Sequence, residues 1–296
     1  MVGMTTRRNF LRLSAAAAAA GCTLHATSLP AFAAGASNHE GIEYGVQLYM
    51  VRHEAPKDLP GVLKKIRATG FTQVELYPIA YTHHAPELRK MVEDAGLGHD
   101  SAHFEYDSIP ARIGYAKQLG LKYMVCSMLP EKYWNPGGFK AAAYQLNEWG
   151  QLARNAGMRL VFHNHNYEFK PLPDDSGTGF DILMKNTDDD LVKLEFDLYW
   201  LTQAGQDPAA MMKQYRNRLV MIHLKDRVAG SPVNYRPQDE QHITELGKGS
   251  IDWQPLISQA RSQGVKLALL DQDETTLPVF EAMKLEADYL NNLKLS

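Results

Sequence analysis

From about Gly41 onward, short apolar runs alternate with longer stretches whose apolar residues recur every three or four positions. The short runs read as strands: Gly45–Tyr49, Thr72–Tyr77, Gly98–Phe104, Lys122–Met128, Arg159–His165, Val192–Tyr199, Arg218–Lys225 and Val265–Asp271. The stretches between them read as helices. Asp58 caps one that runs to about Ala68 and stops at Gly70, and others cover Pro86–Ala95, Pro110–Leu119 and Phe139–Ala156, each followed by a glycine. In the second half, helices are expected near Phe180–Lys185 and over Pro208–Tyr215, Asp252–Gln263 and Pro278–Leu293. Asp226–Ser250 is polar and rich in glycine and proline, and reads as a long loop.

Strands that alternate with helices build a parallel sheet with right-handed crossovers. Eight such units in roughly 250 residues is the size of a single (β/α)₈ TIM barrel. An open doubly wound sheet is the competing architecture, but the first turn, Tyr49–Lys57, lacks a glycine-rich phosphate fingerprint. No linker or change of composition divides residues 41–296.

The N-terminal segment has a different character. Thr5-Thr6-Arg7-Arg8-Asn9-Phe10-Leu11 precedes an alanine-rich stretch, and Ala31-Phe32-Ala33 carries small residues at cleavage-type positions. Residues 1–33 therefore read as a twin-arginine export signal, which implies the export machinery as a partner and a periplasmic or exported destination. Cys22 offers lipidation as an alternative to cleavage after Ala33. After cleavage Cys126 would be the remaining cysteine, so no internal disulfide is expected. The net charge of −3 supplies no global field for nucleic acid.

The strands also carry the candidate chemistry. Four late runs end in metal-ligand types of residue: Leu160-Val161-Phe162-His163, Leu194-Glu195-Phe196-Asp197, Leu219-Val220-Met221-Ile222-His223 and Leu267-Ala268-Leu269-Leu270-Asp271. In a (β/α)₈ barrel the C-terminal strand ends converge on one face, where function resides. Two imidazoles and two carboxylates gathered there suit Mn²⁺, Zn²⁺, Fe²⁺ or Co²⁺ better than Mg²⁺ or Ca²⁺. Taken singly, Asp197 could instead cap a helix and Asp271 could begin a turn. Residues two apart on a strand share a face, which adds His165, Glu195, Lys225 and Asp273 to the inward set. Gln47 with Tyr49, Glu75 with Tyr77, and His103 with Glu105 pair in the same way.

In these residues the chain resembles the xylose isomerase-like (β/α)₈ superfamily, in its sugar phosphate isomerase/epimerase branch. The matching pieces include Gly45-Val46-Gln47-Leu48-Tyr49, Val74-Glu75-Leu76, His163-Asn164-His165 with Glu168-Phe169, and Glu195-Phe196-Asp197 with Trp200. His223-Leu224-Lys225-Asp226, Gly247-Lys248-Gly249 with Ile251-Asp252-Trp253, and Asp271-Gln272-Asp273 complete the set. The resemblance implies a divalent metal held by His163, Asp197, His223 and Asp271. Many members carry glutamate at the positions of His163 and Asp271, and in the epimerases those glutamates form the acid/base pair. Branches with a His-Asn-His pattern include enzymes acting on 3-keto-glycosides.

A metal-dependent isomerase or epimerase working on a sugar or keto-sugar through an enediolate is the expected function. A lyase or hydrolase acting on 3-keto-glycosides by the same chemistry is the alternative, and a non-catalytic periplasmic sugar-binding protein is a third reading. Glu75, Glu195 and His165 are the candidate bases, and Lys225 a candidate for stabilising developing negative charge. Gln47, His103, Tyr77, Trp200 and Asp273 are candidate substrate contacts, with ordinary structural roles open to each. Export favours a substrate without phosphate. A nuclease of the endonuclease IV type, which shares the superfamily, fits neither the acidic balance nor the export signal.

Overall fold

The computed structural model describes residues 41–173 and 177–295. The export-signal reading of residues 1–33, Cys22 included, lies outside them. In chain order the elements are β1 (Glu43–Gln47), α1 (Leu59–Thr69), β2 (Gln73–Glu75), α2 (Ala85–Asp94), β3 (Ser101–Phe104), α3 (Ile109–Leu119) and β4 (Tyr123–Cys126). They continue with α4 (Pro136–Asn155), β5 (Arg159–His163), α5 (Gly179–Asn186), β6 (Val192–Asp197), α6 (Leu198–Gln203), α7 (Pro208–Gln214) and β7 (Leu219–Leu224). The last are β8 (Asp226–Arg227), β9 (Ile243–Thr244), α8 (Trp253–Ser262), β10 (Leu267–Leu270) and α9 (Val279–Asn292).

Eight strands form one sheet in the order β2-β1-β10-β7-β6-β5-β4-β3, with every pair parallel. Isolated parallel bridges, Gln73 to Gly98 and Leu76 to Ala102, bring β2 to β3 and nearly close the ring. This is the (β/α)₈ barrel that the alternating pattern implies. Local signals fix the ends of the helices. The Asp58 carboxylate accepts from the Gly61 N–H at 2.9 Å to start α1, and Gly70 ends it at φ 117°, a left-handed conformation that suits glycine. Asn135 starts α4 in the same way, and a reciprocal Thr178–Asp181 capping box starts α5.

Strand alternation divides the apolar residues between two cores. Those facing the helices, such as Leu160, Phe162, Leu194, Phe196, Ile222 and Leu270, belong to one large cluster. Val125, Val161, Met221, Leu267 and Leu269 form a separate small cluster inside the barrel. The barrel interior is narrow, and at Gly45 an added Cβ would lie 2.6 Å from the Leu269 side chain. One more strand step carries the chain from Val161 to His163, from Met221 to His223 and from Leu269 to Asp271. The small apolar cluster is therefore the floor on which the polar groups stand.

Three elements depart from the sequence reading. Leu48–Tyr49, read as the end of the first strand, begins a short 3₁₀ helix over Leu48–Val51. Leu198–Tyr199, read as the end of a strand, begins α6. The side chain of Asp197 accepts from the Trp200 N–H at 2.9 Å and turns the chain out of β6. The segment read as an unbroken loop, 226–250, contains the antiparallel pair β8–β9, in which Asp226 faces Thr244.

Candidate active site

Above the apolar floor lies a layer of fully buried charged and polar groups. Glu75 on β2 and Glu195 on β6 are the anions, and His103 on β3, His163 on β5 and His223 on β7 lie between them. Glu75 Oε2 is 2.7 Å from His223 Nε2 and 3.1 Å from His103 Nε2, and it accepts from Gln47 Nε2 at 2.7 Å. Glu195 Oε2 is 3.0 Å from both His103 Nε2 and His163 Nδ1. A bulge at Leu194–Glu195 sets the phase of β6 so that Glu195 is level with Met221 and Asp197 with His223.

A second group lies toward the C-terminal rim. Lys225, just past β7, is 3.3 Å from Asp197 Oδ2, 3.2 Å from Asp271 Oδ2 and 2.6 Å from Asp273 Oδ2. His223 Nδ1 joins the two groups, at 3.3 Å from Asp271 Oδ2.

The protonation states follow from these contacts. Burial acts to raise the two glutamates, but the imidazoles outweigh it and hold both down to about 2. Burial opposes charge on His103, yet the glutamates push it up to about 9. His223 is likewise raised well above its usual value, whereas burial drives His163 well below it and leaves that ring neutral. His165 is lowered to about 3 by burial and by Lys225. Lys225 is raised well above a normal lysine because Asp197, Asp271 and Asp273 overcome its desolvation. Asp197 is raised, since its own burial exceeds the help of Lys225.

The donor set fits a divalent cation. His103, His163, Glu195 and His223 each present a ligand atom within 4.8 Å of the others, as do Asp197, His223 and Asp271. His223 belongs to both groups, and the His163 ring centroid lies 4.7 Å from that of His223. Glu75 Oε1 and Asp271 Oδ1 are buried without a hydrogen-bond partner. Asp197 Oδ2 is close to Lys225, but its direction makes an ion pair and no hydrogen bond. Carboxylate lone pairs left open among imidazoles are what such a cation needs, and it would take the place of the protons that the glutamates and Asp271 hold on His103 and His223.

Over this layer opens a cavity of about 510 Å³. Gln47, Tyr77, His103, His163, His165, Trp200, Asp271 and Asp273 all line it, as the sequence pattern expects of inward-facing groups. Glu75, Glu195, Asp197, His223 and Lys225 are not on its wall and lie behind those side chains. Phe104 is buried against Tyr81 and does not reach the cavity. Sequence reading missed the wall formed by Ser127–Pro130 and by Pro237, Gln238 and Gln241. Ser127 and Met128 were read as the end of the fourth strand, which stops at Cys126, and the others lie in connecting segments whose apolar and polar pattern has no period.

Residues 63–272 match the xylose isomerase-like TIM barrel family. The chain belongs to this family. An inosose dehydratase of Clostridium beijerinckii is 32% identical over 170 residues, which cover 51% of this chain and 54% of that protein. The chain thus spans about half the length of the curated relatives it matches. A sugar phosphate isomerase/epimerase from Parabacteroides distasonis superimposes with a TM-score of 0.69 at 27% identity, covering 86% of this chain and 95% of that one. The IolI protein, solved with a bound zinc atom, shares the fold at a TM-score of 0.64 and 13% identity over 84% of this chain and 93% of its own.

Proposed function

We propose that the protein is a divalent-metal-dependent isomerase or epimerase acting on a sugar or keto-sugar through an enediolate. The observation that carries this reading is the layer of buried imidazoles and carboxylates at the C-terminal strand ends, directly beneath a cavity of small-molecule size. His163, Asp197, His223 and Asp271 are the proposed metal ligands; His163 stands in one donor group, Asp197 and Asp271 in the other, His223 joins the two, and Glu195 and His103 lie close enough to His223 to join or support them. A bound Mn²⁺, Zn²⁺, Co²⁺ or Fe²⁺ supplies Lewis-acid polarisation of a substrate carbonyl, which makes the neighbouring C–H more acidic.

The chain's own groups do the rest. His165, held neutral because burial and Lys225 lower it to about 3, lines the cavity and is proposed to take that proton as a weak base. Asp273, also on the wall, is placed to exchange a proton with a substrate oxygen. Glu75 and Glu195 hold the histidine rings in register from behind, and Lys225 balances the carboxylates around it. Gln47, His103, Tyr77 and Trp200 offer a polar and aromatic wall against which a sugar can be oriented.

The same deprotonation followed by loss of a β-oxygen substituent would make the protein a dehydratase or a 3-keto-glycoside lyase. The inosose dehydratase relatives favour this second reading. One experiment tests both. The metal-loaded protein is incubated in D₂O with a panel of keto-sugars and 3-keto-glycosides. Solvent deuterium in a recovered isomer supports the first reading, and an unsaturated product or released aglycone supports the second. Absence of both from every substrate, with metal bound, overturns the enzyme assignment in favour of a sugar-binding protein.

We also propose export by the twin-arginine route to the periplasm with cleavage after Ala33, on the strength of Arg7-Arg8 and Ala31-Phe32-Ala33. The mass of the exported chain tests it, and a chain that starts at a lipidated Cys22 would contradict it.

A further inference from the structure

A second cavity of about 390 Å³ adjoins the barrel mouth. Three separate segments pass from the wall of one cavity to the wall of the other. Pro130 lines the first and Glu131 the second, Pro237 the first and Arg236 the second, and His165 the first and Tyr167 the second. In the first two pairs the residues are consecutive, about 3.8 Å apart, and in the third Asn166 intervenes, so the partition between the two spaces is thin.

The second cavity is aromatic and built on fixed supports. Trp134 stacks on Tyr167 with ring centroids 4.0 Å apart and planes 13° apart. Both rings are tied to the backbone of Leu129, itself part of the wall of the first cavity. The Trp134 indole N–H donates to the Leu129 carbonyl at 2.9 Å, and the Leu129 N–H donates to the Tyr167 hydroxyl oxygen at 2.9 Å. Tyr235 also lines the space. Its neighbour Asn234 is held by buried Asn166, whose amide donates to the Asn234 side-chain oxygen at 2.6 Å. Glu131, Lys170 and Arg236 are exposed at the rim and carry both donors and acceptors.

We propose that this cavity is a subsite for the second ring of a two-ring substrate, whose first ring occupies the barrel mouth. The inference rests on the proposed sugar chemistry of that mouth. Aromatic faces accept the C–H face of a sugar or the face of an aromatic ring, and charged groups at the rim bond the ring's polar edge. The ligand class is therefore a glycoside whose second part is either another sugar or an aromatic group. The volume lies in the range of small-molecule sites.

The test measures binding, so it is independent of turnover. Isothermal titration of the full chain compares glucose with a glucose disaccharide and a phenyl glucoside, each in its α- and β-linked forms. The expected result is that at least one two-ring probe binds about tenfold or more tightly than glucose. In Tyr235→Ala the ratio of two-ring to one-ring affinity should collapse toward one. Trp134→Phe, which keeps a ring in place, should retain most of the preference and remove the part of the fluorescence change that the two-ring probe induces beyond glucose, the remainder coming from Trp200 in the first cavity. Loss of affinity in Arg236→Ala for the disaccharide alone identifies a second sugar as the occupant, and retained disaccharide binding with phenyl preference identifies an aromatic group. Equal binding of one-ring and two-ring probes overturns the proposal, as does failure of every two-ring probe to bind the folded wild-type chain. Neither outcome touches the deuterium experiment, so failure of the subsite and failure of the enzyme reading remain separate.

Discussion

His223 Nε2 on β7 meets Glu75 Oε2 on β2 at 2.7 Å, although the two strands are separated in the sheet by β1 and β10. The contact fixes the orientation of the one histidine that belongs to both candidate metal groups. His223→Ala should therefore remove bound metal, measured by elemental analysis, and lower kcat/KM by at least about a hundredfold. Glu75→Gln keeps the shape but weakens the acceptor, and groups of this kind usually contribute 10–100-fold to metal affinity. We expect Glu75→Gln to bind metal about 10–100-fold more weakly and to recover activity when metal is supplied in excess. Metal content and turnover unchanged in His223→Ala would sink the ligand assignment.

Lys225 is in direct contact with all three of Asp197, Asp271 and Asp273, whereas His223 reaches only Asp271. Removing one partner of a buried charge cluster leaves the others uncompensated, at a typical cost of about 3–5 kcal/mol. Lys225→Met should lower the melting temperature of the metal-free protein markedly. A divalent cation added to this variant takes over part of the charge balance, so its stabilising effect should exceed that on the wild type. Equal metal-induced shifts in Tm for the two proteins would refute the coupling between Lys225 and the metal site.

How much of this was legible in the sequence depends on the range of the signal. The βα rhythm fixed the barrel because burial repeats every two residues in a strand and every three or four in a helix. The strand-end pattern then pointed to His163, Asp197, His223 and Asp271, since β5 and β6 end on such a residue and β7 and β10 finish within one position of one. Alternation pointed to Lys225 and Asp273 as well. The meeting of Glu75 with His223, and of His103 with Glu195, was not legible. It depends on register around the whole ring and on the bulge in β6, which no local pattern encodes. Asp226 is a further case. In sequence it closes the run His223-Leu224-Lys225-Asp226, but its carboxylate accepts from the backbone N–H groups of Arg227, Gly247, Gly249 and Ile251 and from the Trp253 indole. Those donors lie about 20 or more residues along the chain, apart from Arg227.

Two buried glutamates outside the metal site set a pH dependence. Burial pushes Glu168 up to about 8, although it accepts from the His165 N–H, and pushes Glu286 up to about 8, although it accepts from the Leu246 N–H. An unfolded glutamate titrates near about 4.3. The folded state therefore holds these protons more tightly than the unfolded state does. Their contribution to stability is complete below pH of about 4 and is lost as the pH rises through about 8. Thermal unfolding followed from pH 5 to 9 should show stability falling toward the alkaline end. In Glu286→Gln the fall should be shallower, because an amide keeps the acceptor and has no proton to lose. A slope identical to that of the wild type would show that Glu286 is not protonated in the fold.

The charge around the cavity makes a prediction about substrate. Glu105, Asp107, Asp271 and Asp273 line it, and no lysine or arginine is among the described lining residues. Lys225 is already shared by three carboxylates behind the wall. The glycine turn Gly247-Lys248-Gly249, too short for a phosphate loop, wraps the carboxylate of Asp226 with its N–H groups. At Gly249 an added Cβ would lie 2.1 Å from Asp226 Oδ1, so the turn is closed onto that side chain. A phosphate would meet carboxylates on the wall, no lysine or arginine there and no free backbone donors from that turn, and like charges brought together cost several kcal/mol. Once a substrate sugar is found, kcat/KM for the free sugar should exceed that for its phosphate by at least about tenfold, or about 1.4 kcal/mol. Glu105→Lys, which reverses one exposed charge at the rim, should narrow that gap. Equal or better use of the phosphate by the wild type would mean that cations from outside the described wall complete the site.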